Sequence, residues 1–399
     1  MQSPFVKGSG ACYAAEPLPA RKNAAGGRIL YGMNYILFTG GGSAGHVVPN
    51  LALMKALAPS FRIGYLGTGG MEEALVRAEG YDFYRVDCPK LVRKLTAKNL
   101  TLPFRIPAAV KKAERFLRAD PPDLVFSKGG YASFPAAAAA FRLHVPVVTH
   151  ESDLSPGLCT RLLAGKCRFV LTAFPETAQK FARGRCLGAP LRGELFTGGR
   201  RKARRKYGLP EEGRTLLVLG GGSGSAALNR FVREHLPSLL DRYSVLHLCG
   251  KGNAVPFPCR RYVQCEYEPE MQDAYAAADA VLARAGSNTV FEVLALKKPA
   301  AFVPLEKASR GDQLQNARYF AEKGLCAVLR ERELSASPKA CLLRIRALAD
   351  DRALRAALDA CTLANGTPQI AALLSELAAS PAHAAGTRSY PPPKSSLSK

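Results

Sequence analysis

The sequence predicts an α/β protein made of two doubly wound, parallel-sheet domains that face each other across a cleft. Three observations predict it. A strand-forming run that stops at a glycine cluster and continues as a helix occurs twice, over 34–57 and again from 215. Between and beyond these two places, short apolar runs alternate with helical stretches, the pattern of a parallel sheet covered on both faces. The chain has 399 residues, 47% hydrophobic and 22% charged, which is enough for two cores and far from a disordered composition.

Taken in order, residues 1–32 lack an apolar core segment and any periodicity, so they read as a disordered tail or a mis-set start, with Met33 directly before the first strand. The first strand is 34–39, and Gly40-Gly41-Gly42-Ser43-Ala44-Gly45 follows it. A helix is predicted from about Pro49, carrying Leu51, Leu53, Met54 and Leu57, because Pro is tolerated in a first turn. Further strands are predicted at 62–66, 123–127, 145–149 and 168–172, with helices over 72–79 and 108–119. The pattern restarts with a strand at 215–219, then Gly220-Gly221-Gly222-Ser223-Gly224-Ser225, and a helix from about Ala226. Later strands are expected at 244–248, 280–283, 300–303 and 327–329. The boundary falls near Pro190, giving an N-terminal domain 33–190 and a C-terminal domain 191–380, and the Pro/Ser-rich 381–399 reads as a second disordered tail.

A formal charge of +24 admits three kinds of partner: nucleic acid, an anionic membrane surface, or phosphorylated small molecules. No zinc-finger, RRM or KH pattern accompanies the charge, so a nucleic-acid binder is set aside. The eleven cysteines are scattered without a CxxC pair or a nearby His, which argues for reduced thiols in a cytoplasmic setting and against a disulfide framework or zinc site. The longest apolar stretch, 131–141, contains Pro135 and is too short to span a bilayer. Much of the charge is local. Residues 85–118 hold ten basic and two acidic residues interleaved with Leu91, Val92, Leu95, Leu100, Leu102, Phe104 and Ile106, as in a segment resting on anionic lipid headgroups. Residues 192–206 hold seven basic residues and one acidic.

Both glycine clusters lie where a strand turns into a helix, so backbone N–H groups and the positive end of a helix dipole meet there, and glycine lets a phosphate come close. Neither is a Walker A loop or a clean GxGxxG fingerprint. Two such loops on duplicated sheets point to one diphosphate held between the domains. His46 directly follows the first loop, beside that anion site, and its ordinary pKa near 6.5 suits a general base. His150 stands beside Glu151 and Asp153 at a strand end, where open α/β sheets place their sites. A third cluster offers a helix start at Gly286-Ser287-Asn288-Thr289-Val290, with Glu292 placed to grip two vicinal hydroxyls. Asp312 and Gln313 supply the acceptor and mixed donor/acceptor that read a sugar.

GGGSAGH running on to Pro49, GGGSGSAALN, RAGSNTVFEVLALKKPAAFVPL and RGDQLQNA, in this order, closely resemble the MurG family of peptidoglycan N-acetylglucosaminyltransferases. Ser127-Lys-Gly-Gly-Tyr and His150-Glu-Ser-Asp-Leu-Ser-Pro-Gly resemble the variant typical of Firmicutes, and the resemblance runs from about Asn34 to Leu377. It implies a GT-B fold with two Rossmann-like domains. The donor UDP-N-acetylglucosamine would lie mainly on the C-terminal domain, and the acceptor, undecaprenyl-pyrophosphoryl-N-acetylmuramyl-pentapeptide (lipid I), on the N-terminal one. Transfer to the acceptor 4-hydroxyl with inversion would give lipid II at the cytoplasmic face of the membrane, with the protein bound peripherally through 85–118.

Carried over by motif, Ser43, Ala44 and Gly45 would line the cleft near the reacting sugar, and Arg192 and Ser223 would meet the donor diphosphate. Ser287, Asn288, Thr289, Val290 and Glu292 would hold uridine and ribose, the backbone near Glu268 would approach the uracil, and Asp312 and Gln313 would contact the sugar. His46 is the candidate base; no metal or cofactor is expected, because helix N–H groups and Arg192 would support the departing diphosphate. Three departures from the family pattern stand out: Ala44 for Gly, Ser-Gly-Ser at 223–225 for Ser-Gln-Gly, and Ser152-Asp153 for Gln-Asn, with Asp153 kept as a substrate-side candidate. A related transferase acting on diacylglycerol, or a catalytically silent paralogue, are the competing expectations.

Overall fold

The computed structural model describes residues 33–42, 44–89, 101–257, 259–306 and 311–380. The tails 1–32 and 381–399, Ser43, and 90–100 of the expected membrane segment lie outside the described residues.

The first sheet contains β1 (Tyr35–Thr39), β2 (Arg62–Gly67), β3 (Asp82–Arg85), β4 (Leu124–Ser127), β5 (Val147–Glu151), β6 (Phe169–Thr172) and β7 (Gly184–Cys186), in the order β3-β2-β1-β4-β5-β6-β7. The second contains β8 (Thr215–Leu219), β9 (Ser244–Leu248), β10 (Tyr262–Cys265), β11 (Ala280–Ala283), β12 (Ala300–Phe302) and β13 (Ala327–Val328), in the order β10-β9-β8-β11-β12-β13. Every ladder is parallel. Strand order reverses beside β1 and beside β8, so each glycine cluster sits at a topological switch point, where open α/β sheets bind ligands.

Burial on both faces made the central strands legible: β1, β4, β5, β8, β9 and β11 are buried at every position. β3, β7 and β10, which no apolar run predicted, all lie at sheet edges, where one side faces solvent and polar residues are tolerated.

Two expectations need correction. The first helix is Ala44–Leu57, starting well before Pro49 and containing it. Pro49 has no N–H to give the carbonyl of Gly45 one turn back, and Asn288 Nδ2 from the second domain reaches that oxygen at 3.4 Å. Second, a cut near Pro190 does not separate the cores. Ala173 and Phe174 are buried in the second core, with the Phe174 ring 5.2 Å from Phe291, 5.0 Å from Tyr319 and 5.4 Å from Phe320. Conversely, helix Thr367–Ala379 returns to the first domain, placing Ile370, Leu374 and Ala378 in the cluster around Ile36 and Phe38. Its start is tied down by Leu191 N–H donating to Asn365 Oδ1 (3.0 Å) and Thr367 Oγ1 donating to the Leu191 carbonyl (2.8 Å).

Candidate active site

The first glycine loop is already filled by side chains of its own domain. Glu72, 4% exposed, accepts the Gly42 N–H at Oε2 (3.0 Å), and its Oε1 accepts both the Thr68 hydroxyl (2.8 Å) and the Thr68 N–H. A Cβ on Gly41 would fall 1.8 Å from Glu72 Oε2, and one on Gly42, at φ 85°, would fall 2.5 Å from the Tyr131 ring. Tyr65 donates to the Gly40 carbonyl at 2.6 Å, and Asn50 donates to Thr39 O at 3.3 Å. His46 lies in the first turn of helix Ala44–Leu57, half-buried, its Cε1 3.4 Å from where a Cβ on Gly130 would be. Gly45 is exposed in the same turn.

His150 is a different kind of histidine. It is fully buried, and burial, then the nearby Lys128 charge, push its pKa well below the usual imidazole value. Its Nε2–H donates to the Gly188 carbonyl at 2.9 Å, since a carbonyl only accepts, which makes it a neutral structural group. Asp153 faces the other domain, with Asn316 Nδ2 donating to its Oδ1 at 2.9 Å while Leu154 N–H donates to Asn316 Oδ1 at 3.0 Å. Ser287 Oγ–H completes this contact by donating to the Ser152 carbonyl at 2.6 Å.

The second loop is built from backbone. A Cβ on Gly224, at φ 76°, would lie 2.1 Å from the Cys249 carbonyl oxygen, and one on Gly250 would lie 2.5 Å from Gly224 N. No longer side chain fits at 224, which accounts for the missing Gln there. Gly221 and Gly222 are exposed, and among the described residues a Cβ added at either would meet nothing within 4 Å, with Ser223 exposed beside them. Beneath lies a chain of bonds: Asn229 Nδ2 donates to Cys249 O (2.9 Å), His247 Nε2 to Asn229 Oδ1 (2.9 Å), and Tyr262 OH to His247 Nδ1 (2.9 Å).

Across the switch point, helix Ser287–Ala295 starts after β11. Ser287 and Asn288 turn to the first domain and Thr289 is half-buried. Val290 faces the core, and its N–H is used on the Gly286 carbonyl, so it offers a ligand no polar atom of that kind. Glu292 Oε2 accepts the Tyr275 hydroxyl (2.8 Å), and Arg192 stands 3.9 Å from Oε1. Burial raises the Glu292 pKa, with Arg192 and the Tyr275 bond working against it. Arg192 Nε is buried and has no hydrogen-bond partner among the described residues, an unsatisfied donor on the side chain that stands beside the carboxylate.

The Glu268 carboxylate is consumed by Tyr207 OH (2.6 Å), Glu270 N–H (2.8 Å) and Lys206 Nζ (3.2 Å), so only its backbone is left for a ligand. Asp312 begins helix Asp312–Ala321, and Gln313 Oε1 accepts the Leu305 N–H at 2.9 Å, leaving its amide nitrogen for other contacts. Sequence reasoning missed Glu72 and Asn316, whose roles depend on contacts 30 and 162 positions away. Lys128 had a local signal, the strand end followed by two glycines, of the same kind that marked the other two loops.

Two facing parallel-sheet domains with a glycine loop at each switch point define the GT-B class of nucleotide-sugar glycosyltransferases. The chain belongs to glycosyltransferase family 28: residues 36–172 match the family's N-terminal domain and 215–372 its C-terminal domain. Among its relatives, the UDP-N-acetylglucosamine–N-acetylmuramyl-(pentapeptide) pyrophosphoryl-undecaprenol N-acetylglucosamine transferase of Clostridium tetani is 40% identical over 308 residues, 75% of this chain and 86% of the relative. The protein of the same name from Clostridium kluyveri is 41% identical over 324 residues, 79% of this chain and 91% of the relative. The crystal structure of Acinetobacter baumannii MurG superposes with a TM-score of 0.64 at 25% identity, covering 86% of this chain and all (100%) of that one. The calicheamicin glycosyltransferase CalG4 shares the fold, with a TM-score of 0.65 at 21% identity over 86% of this chain and 98% of that one.

Proposed function

We propose that this protein transfers N-acetylglucosamine from UDP-N-acetylglucosamine to the 4-hydroxyl of undecaprenyl-pyrophosphoryl-N-acetylmuramyl-pentapeptide, with inversion, giving lipid II for peptidoglycan synthesis. The observation that carries the reading is the meeting of two helix starts. Asn288 of the candidate donor helix bonds to Gly45 in the turn that holds His46, so a sugar on one domain and a base on the other share one small space.

His46 accepts the proton of the 4-hydroxyl as that oxygen attacks the anomeric carbon. The bond from that carbon to the β-phosphate oxygen breaks, and UDP leaves with the electron pair. Free N–H groups of the second loop and of helix Ser287–Ala295, with Arg192, stabilise the developing charge without a metal or cofactor. Glu292 has one carboxylate oxygen not bonded to Tyr275, enough to accept from a ribose hydroxyl. The test measures UDP release with purified lipid I, followed by His46→Ala at saturating acceptor. A fall in kcat of about 100-fold or more is expected for the loss of a general base; near-normal turnover removes His46 from that role, and a product only with diacylglycerol changes the acceptor.

Among the described residues no helix is long and apolar enough to cross a membrane. Helix Leu102–Ala119 buries Leu102, Ala109, Val110, Ala113 and Leu117, while Phe104 is 80% exposed and Arg105, Lys111, Lys112, Arg115 and Arg118 point to solvent. An exposed aromatic among cations suits peripheral docking on the anionic cytoplasmic leaflet, close to a lipid-borne acceptor. Sedimentation with vesicles containing anionic lipid, reversed by high salt and absent with neutral lipid, is the expected result.

A further inference from the structure

Lys128 follows β4 directly and is 3% exposed. Burying an ammonium is costly unless it is paired, yet among the described residues it makes no ion pair, and its Nζ donates to Ser152 Oγ at 2.5 Å. Glu151 and Asp153 favour its charge from a distance, but both are engaged locally. Glu151 accepts Asp153 N–H (3.1 Å), Gly157 N–H (2.8 Å) and the Thr160 hydroxyl (2.8 Å), and Asp153 accepts from Asn316. The third titratable neighbour, His150, is neutral. The net result of burial and these attractions is a pKa lowered to about 8.

Ser152 is one of the residues at which the two domains meet. Its carbonyl accepts from Ser287, the first residue of the donor-side helix, and the next two residues are held by Asn316 of helix Asp312–Ala321. Three hydrogen bonds therefore cross between the domains within 152–154, and the buried cation grips the first of those residues from the acceptor side. We propose that Lys128 is a positioning residue for the transfer: through Ser152 it fixes 152–154 as a clasp that registers helix Ser287–Ala295 against the first domain. This rests on the transferase reading above. A buried cation without an ion pair is poor value for stability, since an apolar side chain of similar volume is often better tolerated; orientation of the clasp is what the charge adds.

The test is Lys128→Met in the full chain. Stability at pH 7 is expected to equal or exceed wild type. The difference should shrink as pH rises from about 8 toward about 10, because the wild-type lysine binds its proton more weakly folded than unfolded, so wild-type stability increases through that window. The amides of Leu154, bonded to Asn316, and of Val290, bonded to Gly286, should exchange about tenfold faster, reporting a loosened clasp. Turnover should fall about tenfold with a smaller change in donor KM; wild-type turnover should decline as pH passes about 8 and Lys128 loses its proton, and the variant should lack that decline. The double variant with Ser287→Ala should be little slower than Lys128→Met alone, since both act on one clasp. Wild-type kcat and exchange, or full additivity, would overturn the proposal. Should Lys128→Met not fold, Ser152→Ala removes the same bond and is judged by the same readouts. If wild type releases no UDP with lipid I, the reaction reading fails, while the exchange comparison still decides the clasp.

Discussion

The two glycine loops occupy equivalent places in two similar sheets, yet they are finished in opposite ways. The first has its own anion built in: the Glu72 carboxylate takes the Gly42 N–H and stands where a diphosphate would have to approach the backbone. The second is braced from behind, Gly224 against the Cys249 and Gly250 backbone, and leaves Gly221, Gly222 and Ser223 open in front. A loop whose N–H is already bonded to a carboxylate gains little from a phosphate, whereas open N–H groups gain a charge-assisted bond. In the transfer proposed above, the duplicated motif serves two ends, a rigid platform that presents His46 and an open cradle for the leaving diphosphate.

Substitutions can break this contrast. The largest effect is expected at Gly224→Ala, where a methyl group meets the Cys249 carbonyl at 2.1 Å on a left-handed backbone. A loss of about 2–5 kcal/mol from overpacking and backbone strain, read by denaturant unfolding, should accompany loss of UDP binding by calorimetry. Normal stability would show that the loop can move away from Cys249. Next comes Glu72→Gln, which turns three bonds to a carboxylate into weaker ones and presents an amide N–H to a donor, at about 1.5–3 kcal/mol. KM for lipid I should rise while KM for the donor stays near wild type; an equal rise in both would make the first loop part of the donor site. The smallest stability effect belongs to Gly221→Ala, with open space around it and only φ 86° against it, at about 1 kcal/mol. Its methyl stands on the ligand side, so UDP affinity should still fall about tenfold. Unchanged affinity would place the diphosphate elsewhere.

The same contrast explains what could be read in advance. The strands 215–219, 244–248 and 280–283 were expected at their observed limits because residues buried on both faces leave continuous apolar runs. Edge strands such as Asp82–Arg85 leave none. Pro49 looked like a helix start because Pro favours a first turn, but a free carbonyl at Gly45 with a partner in the other domain makes it tolerable further in.

The sequence by itself determined that there are two strand–glycine–helix units, that a histidine follows the first, and that a further helix starts near Gly286-Ser287-Asn288, with Asp312 and Gln313 in a later polar stretch. Each of these is a local pattern set by nearest neighbours along the chain. Only the tertiary structure decided which glycine loop is open, that Phe174 and helix Thr367–Ala379 cross between the cores, and that Lys128, Ser152 and Ser287 form one line of contact. Those depend on sheet order, which brings residues 24 and 135 positions apart within hydrogen-bond distance, a relation no periodicity records.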